Sequence, residues 1–362
     1  MFKQFQIKHF RGFQDFSIDD LKQITLISGK NNVGKTSLLE GLFIHCGQSN
    51  AEVITRVNLW RGLLPARIDK AESARYFLGP SFYNGDLSVP IQFKSVGETG
   101  KLRTSEITAQ IGQTDVETIL PREQETGIAR PEGMSLKLGH IHYEEEGEKP
   151  ADHDLVLSVR GSDIGVNVVP PHRPLSFNTH FLHEGLGPVP VQDATIYSSL
   201  RESGREGLVL DGLRAVDPSI KNLEVLSPAG APSLYVNLAS GKRLPLPLVG
   251  QGCARLTHIL LIMIQAAGGV ILIDEIAYGL HYNALPEVWK VISAAASQFN
   301  VQVFATTHSF EVIAAGHRAF ADLDRYDQFG YFRLEIADEK VKTICVDRES
   351  LSLAIDTGFE IR

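Results

Sequence analysis

The sequence predicts an α/β protein, and three stretches carry that expectation. Residues 24–27 (ITLI) form a short apolar run that passes into Gly29-Lys-Asn-Asn-Val-Gly34-Lys35-Thr36, and an apolar helical pattern with Leu38, Leu39, Leu42 and Phe43 follows. Residues 270–273 (VILI) are a continuous aliphatic strand ending in Asp274-Glu275. Residues 302–305 are a further buried strand ending in Thr306-Thr307-His308-Ser309. Unbroken apolar strands separated by helical patterns belong to a parallel sheet covered on both faces.

The first stretch fits G-x-x-x-x-G-K-[ST] in full, in the strand, glycine loop and helix context that a phosphate-binding loop needs. Glycines let backbone N–H groups curl around phosphates, and the helix N-terminus adds positive potential. Gly29, Asn31, Asn32, Gly34, Lys35, Thr36 and Ser37 are the expected nucleotide-binding residues. Lys35 is placed to reach the β- and γ-phosphates, and Thr36 to hold Mg²⁺ through its hydroxyl. An apolar strand ending in Asp-Glu, in a chain with such a loop, supplies the second half of the site. Asp274 would hold Mg²⁺ directly or through water, and Glu275 would accept a proton from the attacking water or polarise it. His308 stands at the C-terminal edge of its strand, where ligands bind in open α/β sheets, and can reach a γ-phosphate. ATP and Mg²⁺ are thus the expected ligands, ATP hydrolysis the expected reaction, and Lys35, Glu275 and His308 the expected catalytic residues.

The remaining chain bounds this reading. Its 362 residues suffice for one large domain or two modest ones, and 43% apolar content supports a sizeable core. A net charge of -8 does not advertise a nucleic-acid binder, although a local basic groove stays compatible with it. Cys46, Cys253 and Cys345 are scattered, with no disulfide framework or zinc spacing, which suits a reducing cytosol. Residues 256–270 are apolar but interrupted by Thr257, His258 and Gln265, so they read as a buried helix. No signal segment precedes them; a cytoplasmic protein without membrane contact is expected.

Taken in order, residues 1–16 alternate as an amphipathic strand, turning at Phe10-Arg11-Gly12-Phe13. Arg11, just upstream of the loop strand, is either a surface residue or a nucleotide contact. Residues 51–76 look helical but broken at Pro65, and 89–113 alternate as antiparallel strands. Residues 115–131 and the acidic 144–154 read as solvated loops. His140 and His142 share one strand face but lack a carboxylate or cysteine at ligand spacing, which weighs against a metal site. The pattern breaks at the prolines of 170–174. Residues 193–216 read as a helix pair with Gly204 and Gly207 between, and 225–238 as strands closed by Ser240-Gly241. Residues 247–255 (PLVGQGCAR) are a glycine turn feeding a helix.

Together these segments resemble the ABC-type ATPases of the SMC/RecF/OLD group, in which a phosphate loop, a signature turn, an Asp-Glu strand end and a switch histidine occur in this order. The opening FRGF is similar to their N-terminal turn, and LIDEIAYGLH followed by ATTHS is close to the small stand-alone ATPases of bacteria and archaea. The closing residues 330–362, with terminal Glu360-Ile361-Arg362, resemble those proteins too. The resemblance is loose over 51–220. It implies a P-loop NTPase with ABC-ATPase head architecture: a mixed central sheet, an antiparallel β subdomain and a short helical insertion. One head would span 1–362, with N-terminal strands and loop at 1–50, a β/insertion lobe at 51–190, a short helical arm at 191–220, and signature, Asp-Glu strand, switch histidine and C-terminal strands at 221–362.

The same resemblance implies that two heads sandwich ATP between one chain's phosphate loop and the other's signature turn, here Gly250 and Gly252. Residues 278–281, including His281, would lie at the dimer seam, and the Q-loop would fall in 75–92. Family signatures commonly carry a serine where Gly250 stands, so backbone N–H groups would act in its place. Only short helices fill the place of the long SMC coiled coil, and about fifty residues follow ATTHS, too few for an additional domain of ordinary size such as a Toprim nuclease. The expected function is an ATP-driven switch that dimerises or forms a larger ring. It would control a separate effector, a Toprim-like nuclease or a toxin, in an antiphage or toxin–antitoxin-like system. The alternative is a DNA repair or DNA-end-binding ATPase of RecF/SMC type, with DNA as a partner.

Overall fold

Three sheets carry the chain in a computed structural model that describes residues 1–47, 52–63, 71–114, 134–160, 163–169, 178–183, 187, 189–228, 230–358 and 361. Strands β1 (Phe2–Phe10) and β2 (Phe13–Ile18) form a hairpin. β3 (Ile24–Gly29) enters the glycine loop and α1 (Lys35–Cys46) leaves it. Helices α2 (Glu52–Trp60) and α3 (Ala71–Leu78) precede strands β4 (Ile91–Gly97), β5 (Leu102–Thr114), β6 (Met134–Glu145), β7 (Ala151–Arg160) and β8 (Asp163–Val169). A short β9 (Thr179–Leu182) leads to α4 (Pro190–Glu202) and α5 (Gly207–Val216). Then come β10 (Ile220–Leu226), β11 (Ser233–Leu238), β12 (Arg243–Pro245), α6 (Leu246–Val249) and α7 (Gln251–Gln265). The last third holds β13 (Val270–Ile273), α8 (Leu285–Phe299), β14 (Gln302–Thr306), α9 (Phe310–Asp322), β15 (Phe329–Ala337), β16 (Lys340–Cys345) and α10 (Arg348–Thr357).

The central sheet runs β16-β15-β3-β14-β13-β9, parallel throughout except for the edge strand β16. Its inner strands β3, β14 and β13 bury both faces, as a covered parallel sheet requires. Ile24, Leu26, Ile271, Ile273, Val303 and Ala305 face one core with α7, α8 and α9. Ile27, Val270, Leu272, Phe304, Phe332 and Leu334 face a second core around α1, shared with the other large sheet. That sheet runs β2-β1-β4-β5-β6-β7-β8 and is antiparallel at every pairing. The 91–169 strands therefore continue the N-terminal hairpin. The third sheet, β10-β11-β12, lies beside α4 and α6.

Several expectations change. The helix pair at 190–216 is no projecting arm: Ala194, Ile196, Tyr197, Leu200, Val209 and Leu213 belong to the first core. The acidic segment 144–154 is mostly strand, with β6 reaching Glu145 and β7 starting at Ala151. Glu145 is buried, with Arg103 Nη2 at 2.9 Å and Lys101 beside it. Cations on and beside the neighbouring strand β5 neutralise it, a partnership that local composition cannot show. His140 and His142 do have carboxylates at hand. Asp152 and Asp154 lie across on β7, 2.7–3.1 Å from the imidazole nitrogens. Still, no group of three or more His, Cys, Asp or Glu among the described residues could hold a metal ion. Pro65, all of 115–131, the prolines of 170–174, and Glu360 and Arg362 lie outside the described residues. No helix among the described residues is long and apolar enough to cross a membrane.

Two polar contacts fix α1 and the loop strand. Ser28 Oγ meets Tyr331 Oη at 2.6 Å, and Tyr331 also donates to the Ile361 carbonyl, tying the end of the chain beneath the loop. At the far end of α1, His45 is fully buried, 2.8 Å from both Ser95 Oγ and Ser105 Oγ. Burial, reinforced by the Arg103 charge, pushes its pKa down to about 3. The folded state thus binds fewer protons than the unfolded chain between that value and about 6.5, the ordinary histidine pKa. Stability is expected to fall as pH drops through this window, and His45→Gln to flatten the decline. Urea unfolding at a series of pH values checks both.

Candidate nucleotide site

Four parallel strands end along one edge of the central sheet, where open α/β sheets bind ligands. β3 delivers the glycine loop, β13 delivers Asp274 and Glu275, β14 delivers Thr306 to His308, and β9 delivers His183. The register sets these neighbours. Ile27 pairs with Thr306, Ala305 with Ile273, and Ile273 with Leu182.

The loop wraps from Gly29 to α1. At Gly29, φ is 148°, and a Cβ there would lie 2.6 Å from the Leu334 carbonyl oxygen and 2.8 Å from Val33. Only glycine lets β3 turn this closely against β15. Val33 is buried and pins the loop from beneath, while Asn31 and Asn32 are exposed. The first bond of the helix runs from Leu38 N to Gly34 O, at 2.9 Å. The N–H groups of Lys35, Thr36 and Ser37 are the first-turn donors that a helix cannot satisfy internally. Lys35 Nζ donates to the Gly29 and Lys30 carbonyls at 2.8 and 3.2 Å, which holds its ammonium over the loop.

Asp274 is the centre of a connected network. Thr36 Oγ1 donates to its carboxylate at 3.0 and 3.2 Å, and Thr306 Oγ1 donates to Oδ1 at 2.7 Å. Thr306 Oγ1 in turn accepts the Glu275 N–H at 2.9 Å. Glu275 has φ of 48°, a left-handed backbone unusual outside glycine. Its Oε2 lies 2.9 Å from His308 Nδ1 and accepts the His308 N–H at 3.3 Å. The His308 side chain is 64% exposed, so the imidazole faces the open edge. Lys35, Thr36, Asp274, Glu275 and His308 are thus brought together.

Gly250 and Gly252 pack elsewhere, at the start of α7. A Cβ on Gly252 would lie 3.0 Å from the Gly279 carbonyl oxygen and 3.4 Å from Leu280. Gly250 has φ of 157°, which L side chains rarely adopt, although a Cβ there would meet nothing within 4 Å. Backbone shape, rather than space, disfavours serine here. His281 caps a short turn, its Nδ1 accepting Asn283 N–H at 3.4 Å. Arg255 links this region to the network: its Nη2 donates to the Asp274 carbonyl at 3.4 Å from within α7.

Arg11 is turned inward. Its side chain is 8% exposed, Nε lies 2.8 Å from Glu40 Oε2, and Nη2 donates to Asn58 Oδ1 at 3.2 Å. Burial lowers its pKa to about 10 despite Glu40. The guanidinium expected either at the surface or on the nucleotide is committed to α1 and α2, because buried Glu40 needs a cation.

Three residues were missed by sequence reasoning. Thr306 was read only as part of a strand end. Arg255 was read only as the close of a glycine turn. His183 stands beside Asp274, whose N–H donates to the Leu182 carbonyl at 2.9 Å. The segment 75–92, where a Q-loop was sought, forms the end of α3, two short turns and the start of β4 in the other sheet. The strand flanking β13 is β9, and its four residues are too few to show a period.

The sequence model of the AAA ATPase domain family matches residues 1–74 and 194–313, more than half of the chain. An "ATP/GTP phosphatase" of Helicobacter pylori is 22% identical over 362 residues, covering 94% of each chain. Among solved structures, an SMC head bound to the C-terminal winged-helix domain of ScpA superposes with a TM-score of 0.50 at 10% identity. That match covers 96% of this chain and 98% of the other, and places the architecture with SMC heads.

The close approach at Gly29 is directly testable. Gly29→Ala is expected to lower stability by about 2–3 kcal/mol and to abolish nucleotide binding, because the backbone at Leu334 cannot yield. Urea unfolding and a nucleotide titration of the variant measure both effects.

Proposed function

We propose that this chain, which belongs to the AAA ATPase domain family and is an ATPase, works as a nucleotide-driven switch. ATP binding closes two or more copies around the nucleotide, and hydrolysis reopens them. One observation carries the reading. Asp274 meets the loop helix through Thr36, meets β14 through Thr306, and meets α7 behind Gly250 and Gly252 through Arg255. Nucleotide, hydrolytic residues and signature helix therefore share one residue. Self-association is supported by exposed apolar side chains flanking the turn: Leu248 is 71%, Tyr278 54% and Tyr282 62% exposed.

Within the site, loop N–H groups and Lys35 bind and orient the phosphates. The Thr36 hydroxyl and Asp274 carboxylate are hard oxygen donors already at 3.0 Å, a set that fits Mg²⁺ held jointly with nucleotide phosphates. When bound, Mg²⁺ neutralises charge on the β- and γ-phosphates. Glu275 takes the proton of the attacking water, and His308 orients that carboxylate from 2.9 Å while reaching toward the γ-phosphate. Arg11, Gly250 and Gly252 are assigned to the fold side and to the partner-facing side of this arrangement.

The output is control of a separate effector, a nuclease or toxin of an antiphage or toxin–antitoxin-like system. The likeness of LIDEIAYGLH and ATTHS to small stand-alone ATPases supports this. Lys35→Ala is expected to abolish ATP binding. Glu275→Gln should keep ATP bound while turnover falls by about two to four orders of magnitude. His308→Ala should slow turnover more than it weakens binding. Nucleotide titration and phosphate release measure these effects, and wild-type turnover in Glu275→Gln would remove Glu275 as the base. Tagged Glu275→Gln recovered from its host with ATP and Mg²⁺ identifies the output. A nuclease or toxin supports effector control, whereas DNA without a protein partner transfers the reading to repair.

A further inference from the structure

Tyr331 lies on β15, opposite Leu26 of β3, with its ring in the first core. Its hydroxyl has two partners. It donates to the Ile361 carbonyl, and Ser28 Oγ lies 2.6 Å from the same phenolic oxygen. A tyrosine hydroxyl carries one proton. With that proton given to Ile361, Tyr331 Oη can only accept from Ser28, so the Ser28 hydroxyl is the donor. Burial raises the Tyr331 pKa to about 12, which keeps the proton in place at neutral pH. Ser28, Tyr331 and Ile361 are all buried, where such bonds are stronger than in water and polarise one another. A directed chain thus runs from Ser28 through Tyr331 to the C-terminal segment.

The other end of this chain is the phosphate loop. Ser28 precedes Gly29, and Lys35 Nζ donates to the Gly29 carbonyl at 2.8 Å. One planar peptide joins the Cα atoms of Ser28 and Gly29. Glycine restrains its own backbone least, so the direction of its carbonyl depends on what holds its neighbours. β15 supplies that support twice. The Leu334 backbone packs against Gly29, where a Cβ would lie 2.6 Å from the Leu334 carbonyl oxygen, and the Tyr331 hydroxyl fixes Ser28. Tyr331 is itself a fixed reference. Its backbone lies within the β3–β15 ladder, and its carbonyl accepts the Val346 N–H at 3.1 Å.

We infer that Tyr331 is a positioning residue for nucleotide binding: it fixes Ser28, Ser28 fixes the Gly29 carbonyl, and that carbonyl holds the Lys35 ammonium where the phosphates arrive. The inference rests on the reading of residues 29–37 as the nucleotide loop. Tyr331 acts from beneath the loop and through other residues. Its effect therefore falls on how well the loop is shaped before nucleotide binds, and is shared by ATP and ADP.

The test titrates ATP and ADP, each with Mg²⁺, into the wild type, Ser28→Ala, Tyr331→Phe, the double variant and Lys35→Ala. Ser28→Ala removes only the link to the loop and leaves Tyr331 bonded to Ile361. It is expected to weaken both nucleotides by about fivefold, with the number of sites unchanged. Tyr331→Phe keeps the ring and should weaken both to a similar degree. The double variant should lose no more than the larger single loss, because both changes break one contact. Should Tyr331→Phe fail to fold, Ser28→Ala alone decides. A role confined to stability would lower the fraction of chains that bind and leave the Kd of the rest unchanged, which overturns the inference. Losses that multiply in the double variant overturn it too. Unchanged affinity in Ser28→Ala, with binding lost in Lys35→Ala, overturns it and leaves the loop assignment standing. Full binding by Lys35→Ala overturns the loop assignment itself, and this inference with it.

Discussion

Asp274 is 3% exposed, and a carboxylate withdrawn from water is tolerated only where hydrogen bonds replace its hydration. Thr36 and Thr306 supply them, one from the loop helix and one from the end of β14. Both hydroxyls reach the same carboxylate only because β3, β14 and β13 are adjacent, parallel and in the observed register. A slip of one residue would turn every side chain of a strand to the other face. It would carry Thr306 away and exchange the two cores that Val303, Phe304 and Ala305 now fill alternately. Core packing and site geometry are therefore enforced by the same register.

What the sequence revealed depended on the range of the interaction. The phosphate loop, the Asp274-Glu275 strand end and the His308 strand end are local patterns. Each consists of an apolar strand followed at once by its chemical residues, so each was legible, as was the α/β class. The partners of buried charges were not. Glu145 finds Arg103, Glu40 finds Arg61, and His140 finds Asp154, at sequence separations that no periodicity spans. The acidic run near Glu145 consequently read as solvent-facing, and Arg11 was left between surface and nucleotide. β9 escaped for another reason: four residues flanking Asn178 carry no usable pattern, although they position His183 beside Asp274. The helix pair at 190–216 was visible, but whether it projected or packed depended on the apolar face that α7 offers it.

The helix α1 is clamped on two flanks. Asp274 holds Thr36 on one side, and the Arg11–Glu40–Arg61 cluster holds the next turn on the other. Between them the Gly29 turn fixes the loop against β15, and the Ser28–Tyr331–Ile361 contacts close it from below. The result is preorganisation: first-turn N–H groups keep one direction whether or not an anion lies before them.

Strain sits elsewhere, at Glu275. Its left-handed backbone, of a kind that costs roughly 1–3 kcal/mol, persists because neighbours over-determine it. Thr306 accepts its N–H, and His308 holds its carboxylate through both ring and backbone. All of these come from the end of β14, so displacement of that end moves the Glu275 carboxylate and His308 together. Arg255 touches Asp274 at the carbonyl, which belongs to the same peptide unit as the Glu275 N–H that Thr306 accepts. Movement of α7 thus acts directly on the peptide that joins Asp274 to Glu275, and so on both side chains together.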